Sequence, residues 1–303
     1  MKFAVETWAP EYGIAADESL IDKTSDTVDV DVEVVAEKWT PIDAPVPTET
    51  PDIVFVDGVQ RIDARVWIND GDAVRAGVCA VVAAGAVRCS PGKATIIGHE
   101  VERLLLTGPS DVVDDIETRH GRYRYVSTAS DAPEDVYLGI HEERNRLEIG
   151  FGDLDDGDLL IFDGPLRGRN NPKGVGYIKT QHVQYLPDAQ QSVLAELASG
   201  QRTPLFHVAG RGQSRLSWYL RLPVERTHPW AGIVRAELPP GNIERAVERA
   251  DVVSALLPGY ASEPHKDGRA PQNLYPIAGL ENDLRRRLGD QKLMERALRV
   301  AAA

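Results

Sequence analysis

Apolar residues in this chain come in short dense runs broken by glycine, proline and charge, and the period of each run predicts its element. IVFVDG at 53–58 and LLIFDG at 159–164 each drive four apolar residues into an Asp-Gly pair. Near-continuous apolar character of that length suits strands covered on both faces. DIVFVDGVQRIDARVWI (52–68) and AVRAGVCAVVAAGAVRC (73–89) read as two hairpins of a mixed or antiparallel sheet, with Asp57-Gly58 as a turn signal. GVGYIKTQHVQYL (174–186), RLSWYLRLP (215–223) and WAGIVRAELP (230–239) add strands, the last two paired. TVDVDVEVVAEKW (27–39) is an alternating stretch and predicts a half-exposed strand, placed at a sheet edge.

The helical period is clearest in PEDVYLGIHEERNRLEIGFGDL (133–154), where Ile140, Leu147, Phe151 and Leu154 share a stripe and Pro133 stands at the start. Two further helices follow at 242–259 and 275–290. In the second, Ile277, Leu280, Leu284 and Leu288 form the buried stripe, while Glu281 and Arg285 are spaced to pair. Hairpins first and helix–strand alternation afterwards predict an α/β fold, a mixed sheet flanked by helices.

Composition narrows the class. The 303 residues are 42% hydrophobic and 27% charged, ordinary for a globular protein. No apolar run reaches the roughly 18–20 residues that span a bilayer. MKFAVETWAPEYG carries acids and a proline where a signal peptide needs an apolar stretch, so a cytoplasmic protein without a membrane anchor is expected. Cys79 and Cys89 are expected as unpaired thiols, and no CxxC or HExxH spacing suggests zinc.

The net charge of −13 is unevenly spread. Residues 1–52 hold 13 acids against three bases, and end in the proline-rich TPIDAPVPTETPD, which reads as an acidic N-terminal arm and linker. Residues 164–235 reverse the sign, with ten Lys/Arg (Arg167, Arg169, Lys173, Lys179, Arg202, Arg211, Arg215, Arg221, Arg226 and Arg235) against Asp188, Glu196 and Glu225. Such a window is either a phosphate-binding surface or a solvated face paired with the acidic segment.

The two Asp-Gly pairs carry the candidate chemistry. Open α/β sheets bind ligands beyond strand ends, and carboxylates delivered there suit Mg²⁺ or Mn²⁺. Asp-Gly is equally a plain turn. A haloacid-dehalogenase-type site needs a second Asp two residues on, where this chain has Val59 and Pro165; no GxxxxGK[ST] phosphate loop occurs.

Taken in order, VFVDGVQRID, a Glu-rich helix, LLIFDGPL, VGYIKT, HPWAGIVRAELP and LYPIAGLENDL resemble the pattern of NurA-type nucleases over residues 53–290. The resemblance implies an RNase H-like fold and a nuclease domain over 53–303. It also implies DNA cleavage with Mn²⁺ or Mg²⁺, phosphate-backbone contacts to DNA, a homodimer, and docking on a HerA-like hexameric ATPase in DNA-end processing. It assigns the metal-binding carboxylates to Asp57, Asp163 and a helix glutamate. Glu148 is best placed for that glutamate, with Glu143 and Glu142 as alternatives. Lys179 would approach the scissile phosphate, and Tyr275 matches the C-terminal tyrosine of the family. Many members carry a histidine soon after that tyrosine; this chain has Glu281 on the helix, and His265 does not align. The departure leaves a second reading open, a NurA-like subunit that binds and regulates the motor without cutting.

Overall fold

The longest apolar runs become the longest strands. The computed structural model describes residues 22–23, 26–70, 73–110, 113–154, 157–180, 183–210 and 213–302. Its first strands are β1 (Asp22–Lys23), β2 (Thr27–Asp29), β3 (Ile42–Asp43), β4 (Ile53–Asp70), β5 (Ala73–Ser90), β6 (Lys93–Thr107), β7 (Ile116–Thr118) and β8 (Gly121–Ser127). Helix α1 (Pro133–Leu154) separates these from β9 (Leu159–Asp163), β10 (Gly174–Ile178) and β11 (Val183–Gln184). After α2 (Asp188–Glu196) come β12 (Gln201–Arg202), β13 (Phe206–Gly210), β14 (Gln213–Arg221) and β15 (Ile233–Leu238). The chain closes with α3 (Ile243–Leu256), α4 (Tyr275–Arg287) and α5 (Gln291–Ala301). No helix among the described residues is long and apolar enough to cross a membrane.

The fold is mixed α/β and divides into two compact units. One contains the described residues up to Ile53, Cys89–Gly92 and Gly157–Ala278; the other contains Val54–Arg88, Lys93–Asp156 and the chain from Gly279. In the first, the strands run in the order β2-β13-β14-β15-β10-β9, with β9 and β10 parallel and β10, β15, β14 and β13 antiparallel. One face packs Phe206, Val208, Tyr219 and Ile233 against Val193 and Leu194 of α2 and against Val30 and Trp39. On β14 the residue before Tyr219, Trp218, points the other way and donates its indole N–H to Ser254 of α3, 2.9 Å away.

The second unit orders its strands β4-β5-β6-β8-β7, with β6 and β8 parallel and β7 and β8 antiparallel. Side-chain alternation sorts its two faces. Ala80, Val82, Ala84, Leu104 and Leu106 pack on Ile140 and Leu147 of α1. Cys79, Leu105 and Tyr123 pack on Leu298 of α5. Both faces of β5 are therefore covered, which explains its unbroken apolar sequence. Both cysteines are buried free thiols, and burial pushes Cys79 up to about 12 and Cys89 up to about 11.

Helices α1, α3 and α4 and strands β9, β10, β14 and β15 lie where the sequence pattern puts them, and the four stripe residues of α4 are all buried. The side chain of Leu154 lies outside the described residues. Two expectations are corrected. Each stretch read as a hairpin is one strand of 18 residues. Gly58 is not among the glycines with positive φ, and Val59, Ile62, Val66 and Trp67 continue the strand-forming pattern past it. The expected strand over 27–39 is real only at Thr27–Asp29, the edge partner of β13. There Asp29 accepts from the backbone N–H of Asp31 (2.9 Å), and Asp31 accepts from that of Ala36 (2.7 Å). These side chains take the donors that a ladder would have used.

One ion-pair hub ties three segments of the first unit together. Arg202, almost fully buried, reaches Glu33 at 2.8 Å and Asp251 of α3 at 2.7 Å, and Glu33 also accepts from the backbone N–H of Leu205. Burial works against the Arg202 charge, but Glu33 and Asp251 outweigh it and hold its pKa above the usual arginine value. Removing one member of such a set strands the others. Arg202→Ala is expected to cost about 3–5 kcal/mol in urea unfolding; a loss below about 1 kcal/mol, the range of exposed pairs, would show that the hub does not hold the segments together.

Candidate functional site

In the second unit, Asp57 sits in the body of β4, buried between Val56 and Val59. Its Oδ1 accepts from the backbone N–H of Gly58 at 2.7 Å. Glu148 comes from the buried stripe side of α1 and is 2% exposed. What lets Glu148 reach β4 is the missing side chain of Gly58. A Cβ there would stand 2.5 Å from Glu148 Oε1, 2.9 Å from Arg144 Cγ and 3.2 Å from the Ala83 carbonyl. Glycine lets the helix carboxylate rest directly on the strand next to Asp57. Arg144, one turn earlier on α1, pairs with Glu148 at 3.1 Å and donates to Gln60 Oε1 at 3.3 Å.

The competing glutamates are placed differently. Glu143 is bound by Arg124 at 2.9 Å and Arg146 at 3.1 Å in a surface network with Glu102, and Glu142 is exposed. Of the three helix acids, only Glu148 lies against the Asp57-Gly58 backbone.

In the first unit, Asp163 ends β9, half-buried, and Gly164 turns the chain with φ of +119°. That value is closed to most side chains. The exit loop then folds back over β10. Leu166 donates its backbone N–H to Glu237 Oε1 at 2.6 Å, and Arg169 donates to the Pro165 carbonyl while covering the Phe162 ring at 4.9 Å. Gly176 makes room for this loop: a Cβ there would meet Glu237 Cγ at 2.8 Å and the Gly164 carbonyl at 3.0 Å.

Lys179, just beyond β10, places Nζ 2.6 Å from Asp163 Oδ2 and 2.8 Å from Asn273 Oδ1. Asn273 is fully buried and donates its Nδ2 to Asp267 Oδ2 at 2.6 Å. The result is a chain Asp267–Asn273–Lys179–Asp163. Tyr177, on the strand that leads to Lys179, donates its hydroxyl to the Gln272 carbonyl at 2.7 Å. Burial first, and then Asp163, raise its pKa well above the ordinary phenol value. Tyr275 is neither a core aromatic nor part of this chain. It is 39% exposed, receives a hydrogen bond from Lys266 at 3.1 Å and carries that ammonium over its ring at 5.2 Å. Glu281 pairs with Arg285 at 2.8 Å, at the spacing expected from the sequence.

The basic window is mostly interior. Arg169, Arg202, Arg221 and Arg235 are buried. Arg235 pairs with Glu237 at 2.8 Å, and Arg215 reaches Asp26 at 3.2 Å. Arg221 donates to the carbonyls of Leu194, Pro229 and Ala231, and burial, aided by Arg226, brings it down to about 10. Only Arg167 and Arg226 of the ten are exposed among the described residues, and Arg211 lies outside them. Part of the charge expected at a surface over 164–235 is thus spent inside the protein. Those arginines satisfy buried carboxylates and carbonyls, because neither kind of group tolerates burial alone.

Asp57 and Glu148 offer hard oxygen donors of the kind that hold Mg²⁺ or Mn²⁺. No group of three or more His, Cys, Asp or Glu gathers as a metal cage among the described residues. No protein-family model and no curated protein sequence matches the chain. Among solved structures, the NurA nuclease from Sulfolobus solfataricus is similar at 12% identity and a TM-score of 0.49, over 82% of each chain. Endonuclease V from Bacillus subtilis is similar at 11% identity and TM-score 0.34, over 84% of this chain and 87% of that one. The catalytic domain of human endonuclease V gives 16% identity and TM-score 0.32, over 80% and 85%.

Sequence reasoning missed Arg144 and Asn273. The first was findable as an i,i+4 partner of Glu148; the second sits in a loop with no periodic signal. The close approach at Gly58 has a direct consequence. Gly58→Ala is expected to destabilise the fold by about 1–3 kcal/mol through overpacking. Adding Glu148→Ala should relieve most of that cost, a coupling of about 1 kcal/mol or more in a double-mutant cycle read by urea unfolding. Additive losses would mean that Glu148 does not occupy the space over Gly58.

Proposed function

We propose that the chain is a divalent-metal-dependent deoxyribonuclease of the NurA type, with an RNase H-like fold. The observation that carries this reading is the close rest of the buried Glu148 carboxylate on Gly58, the residue that follows the buried Asp57 in β4. In this reading Asp57 and Glu148 hold Mn²⁺ or Mg²⁺. The sequence pattern assigns Asp163 as a third carboxylate ligand and gives Tyr275 a role in the same reaction. When bound, the metal supplies Lewis-acid stabilisation and an activated water. Lys179 presents a point charge for a phosphate oxygen, and Tyr177 stays protonated beside Asp163 and fixes the loop at Gln272.

Asp57→Asn, Glu148→Gln and Asp163→Asn are each expected to lower Mn²⁺-dependent cleavage of labelled single-stranded DNA by about a hundredfold or more while the thermal midpoint changes little. Full activity in Asp57→Asn or Glu148→Gln would remove the metal assignment. A second reading, a non-cleaving subunit that regulates a HerA-like motor, is favoured by one observation: Lys179 already occupies Asp163 Oδ2. Absence of cleavage by the unaltered protein across Mn²⁺ and Mg²⁺ titrations would select it.

The partners in this proposal are a second copy and a HerA-like hexameric ATPase. With most cations of the basic window committed internally, few phosphate contacts remain for DNA from that window. Cleavage by the protein alone should be slow and should fall about tenfold or more as salt rises from about 50 to 200 mM. A motor that threads DNA would raise the local concentration and flatten that dependence. Cleavage rates against salt, with and without the ATPase and ATP, check this; parallel curves would remove the partner.

A further inference from the structure

The Asp267–Asn273–Lys179–Asp163 chain holds more order than an ion pair needs. Lys179 and Asp163 alone would satisfy each other's charge. Instead the ammonium is also gripped by a carboxamide that is fully buried, and that carboxamide has its own orientation fixed by a carboxylate. With Nδ2 committed to Asp267, the oxygen of Asn273 has to face Lys179, because a flipped amide would set its oxygen against the Asp267 carboxylate. Asp267 is anchored in turn, since its Oδ1 accepts from the backbone N–H of Arg269 at 2.7 Å. Two of the three ammonium donors of Lys179 are thereby used, one by Asp163 and one by Asn273, and its side chain keeps only 10% of its exposure.

Lysine is ordinarily a flexible point charge whose four-carbon stem costs entropy to order. A buried, orientation-locked acceptor removes that freedom before any ligand arrives, and leaves the third donor for an outside acceptor. We propose that Asn273, locked by Asp267, is a positioning residue that aims the Lys179 ammonium at a substrate phosphate oxygen. The inference rests on the nuclease reading for the identity of that acceptor, but not for the lock itself. Lock and acceptor separate cleanly in experiment.

The lock is read without any substrate. Competitive labelling with acetic anhydride, followed by mass spectrometry, gives the reactivity of each lysine in the folded full-length protein. Asn273→Ala is expected to raise labelling of Lys179 about tenfold, the equivalent of one charge-assisted hydrogen bond, while labelling of exposed Lys292 stays constant. Asn273→Asp should expose Lys179 similarly, because the new carboxylate faces Asp267 and pushes the two segments apart. Combining Asn273→Asp with Asp267→Asn restores a donor opposite an acceptor and should return Lys179 to its protected state. Unchanged labelling in Asn273→Ala, or failure of the exchanged pair to protect Lys179 in a folded protein, would overturn the lock.

The acceptor is read by cleavage of single-stranded DNA. Asn273→Ala should lower kcat by about tenfold to a hundredfold with KM held within about twofold, as expected when a group is misplaced by about an ångström. In a Lys179→Met background the same substitution should have no further effect, because Asn273 acts only through that ammonium. An equal loss in both backgrounds would overturn the positioning role. Protected lysine in a protein that cleaves nothing would sink the nuclease reading and the phosphate acceptor with it, while leaving the lock in place.

Discussion

A buried or half-buried carboxylate has to be answered by a donor, and that constraint arranges more of this molecule than any motif does. Glu33 and Asp251 are answered by Arg202, Glu237 by Arg235 and the Leu166 amide, Asp63 by Arg61 and Tyr123, and Asp163 by Lys179. Arg202 with Glu33, the Leu166 amide with Glu237 and Tyr123 with Asp63 join segments far apart in sequence. Arg61 goes further and also donates to the Leu288 and Gly289 carbonyls, closing the C-terminal end of α4. The cations that the sequence clusters between 164 and 235 are drawn inward by the same demand. Charge counted along a chain says which sign is present; burial decides whether it remains available to a partner.

The two Asp-Gly pairs look alike in sequence and do opposite things in space. At 163–164 the glycine takes a positive φ and ends the strand, so the carboxylate stands at an exit. At 57–58 the strand runs on for another dozen residues, and the glycine is needed for what it lacks, a Cβ in the place of Glu148 Oε1. Local pattern carries the first case, because turn chemistry is local. The second depends on a helix ninety residues away, and nothing near Gly58 records it.

Legibility follows the same division elsewhere. The stripes of α1 and α4, the buried runs of β9 and the pairing of β14 with β15 were readable because period and burial are properties of one segment. Helix α5 was not foreseen. Its Met294, Ala297 and Leu298 are buried at helical spacing, but the chain-end composition, with Lys292, Arg296 and Arg299 on the outside, masks so short an apolar stripe. Asp57, Glu148, Asp163 and Lys179 were legible as candidates; Lys179 and Asp163 emerge as a close pair and Glu148 rests on Gly58, whereas Tyr275 stands apart, with Lys266. Asn273 was invisible, since a single loop asparagine gains meaning only from Lys179 on one side and Asp267 on the other.

The Arg144–Glu148 and Lys179–Asp163 pairs differ in how firmly the cation is held. Arg144 pairs with Glu148 from the next turn of the same helix, and its side chain keeps 30% of its exposure. Its hold on Glu148 is a partly exposed pair within one helix, of the kind worth little by itself. Lys179 has less freedom, because Asn273 holds it beside Asp163 and nearly all of its side chain is covered. Charge at Asp163 is therefore compensated by the protein itself. The two carboxylates are thus told apart by the cation each was given, one partly exposed on the same helix and one covered and locked.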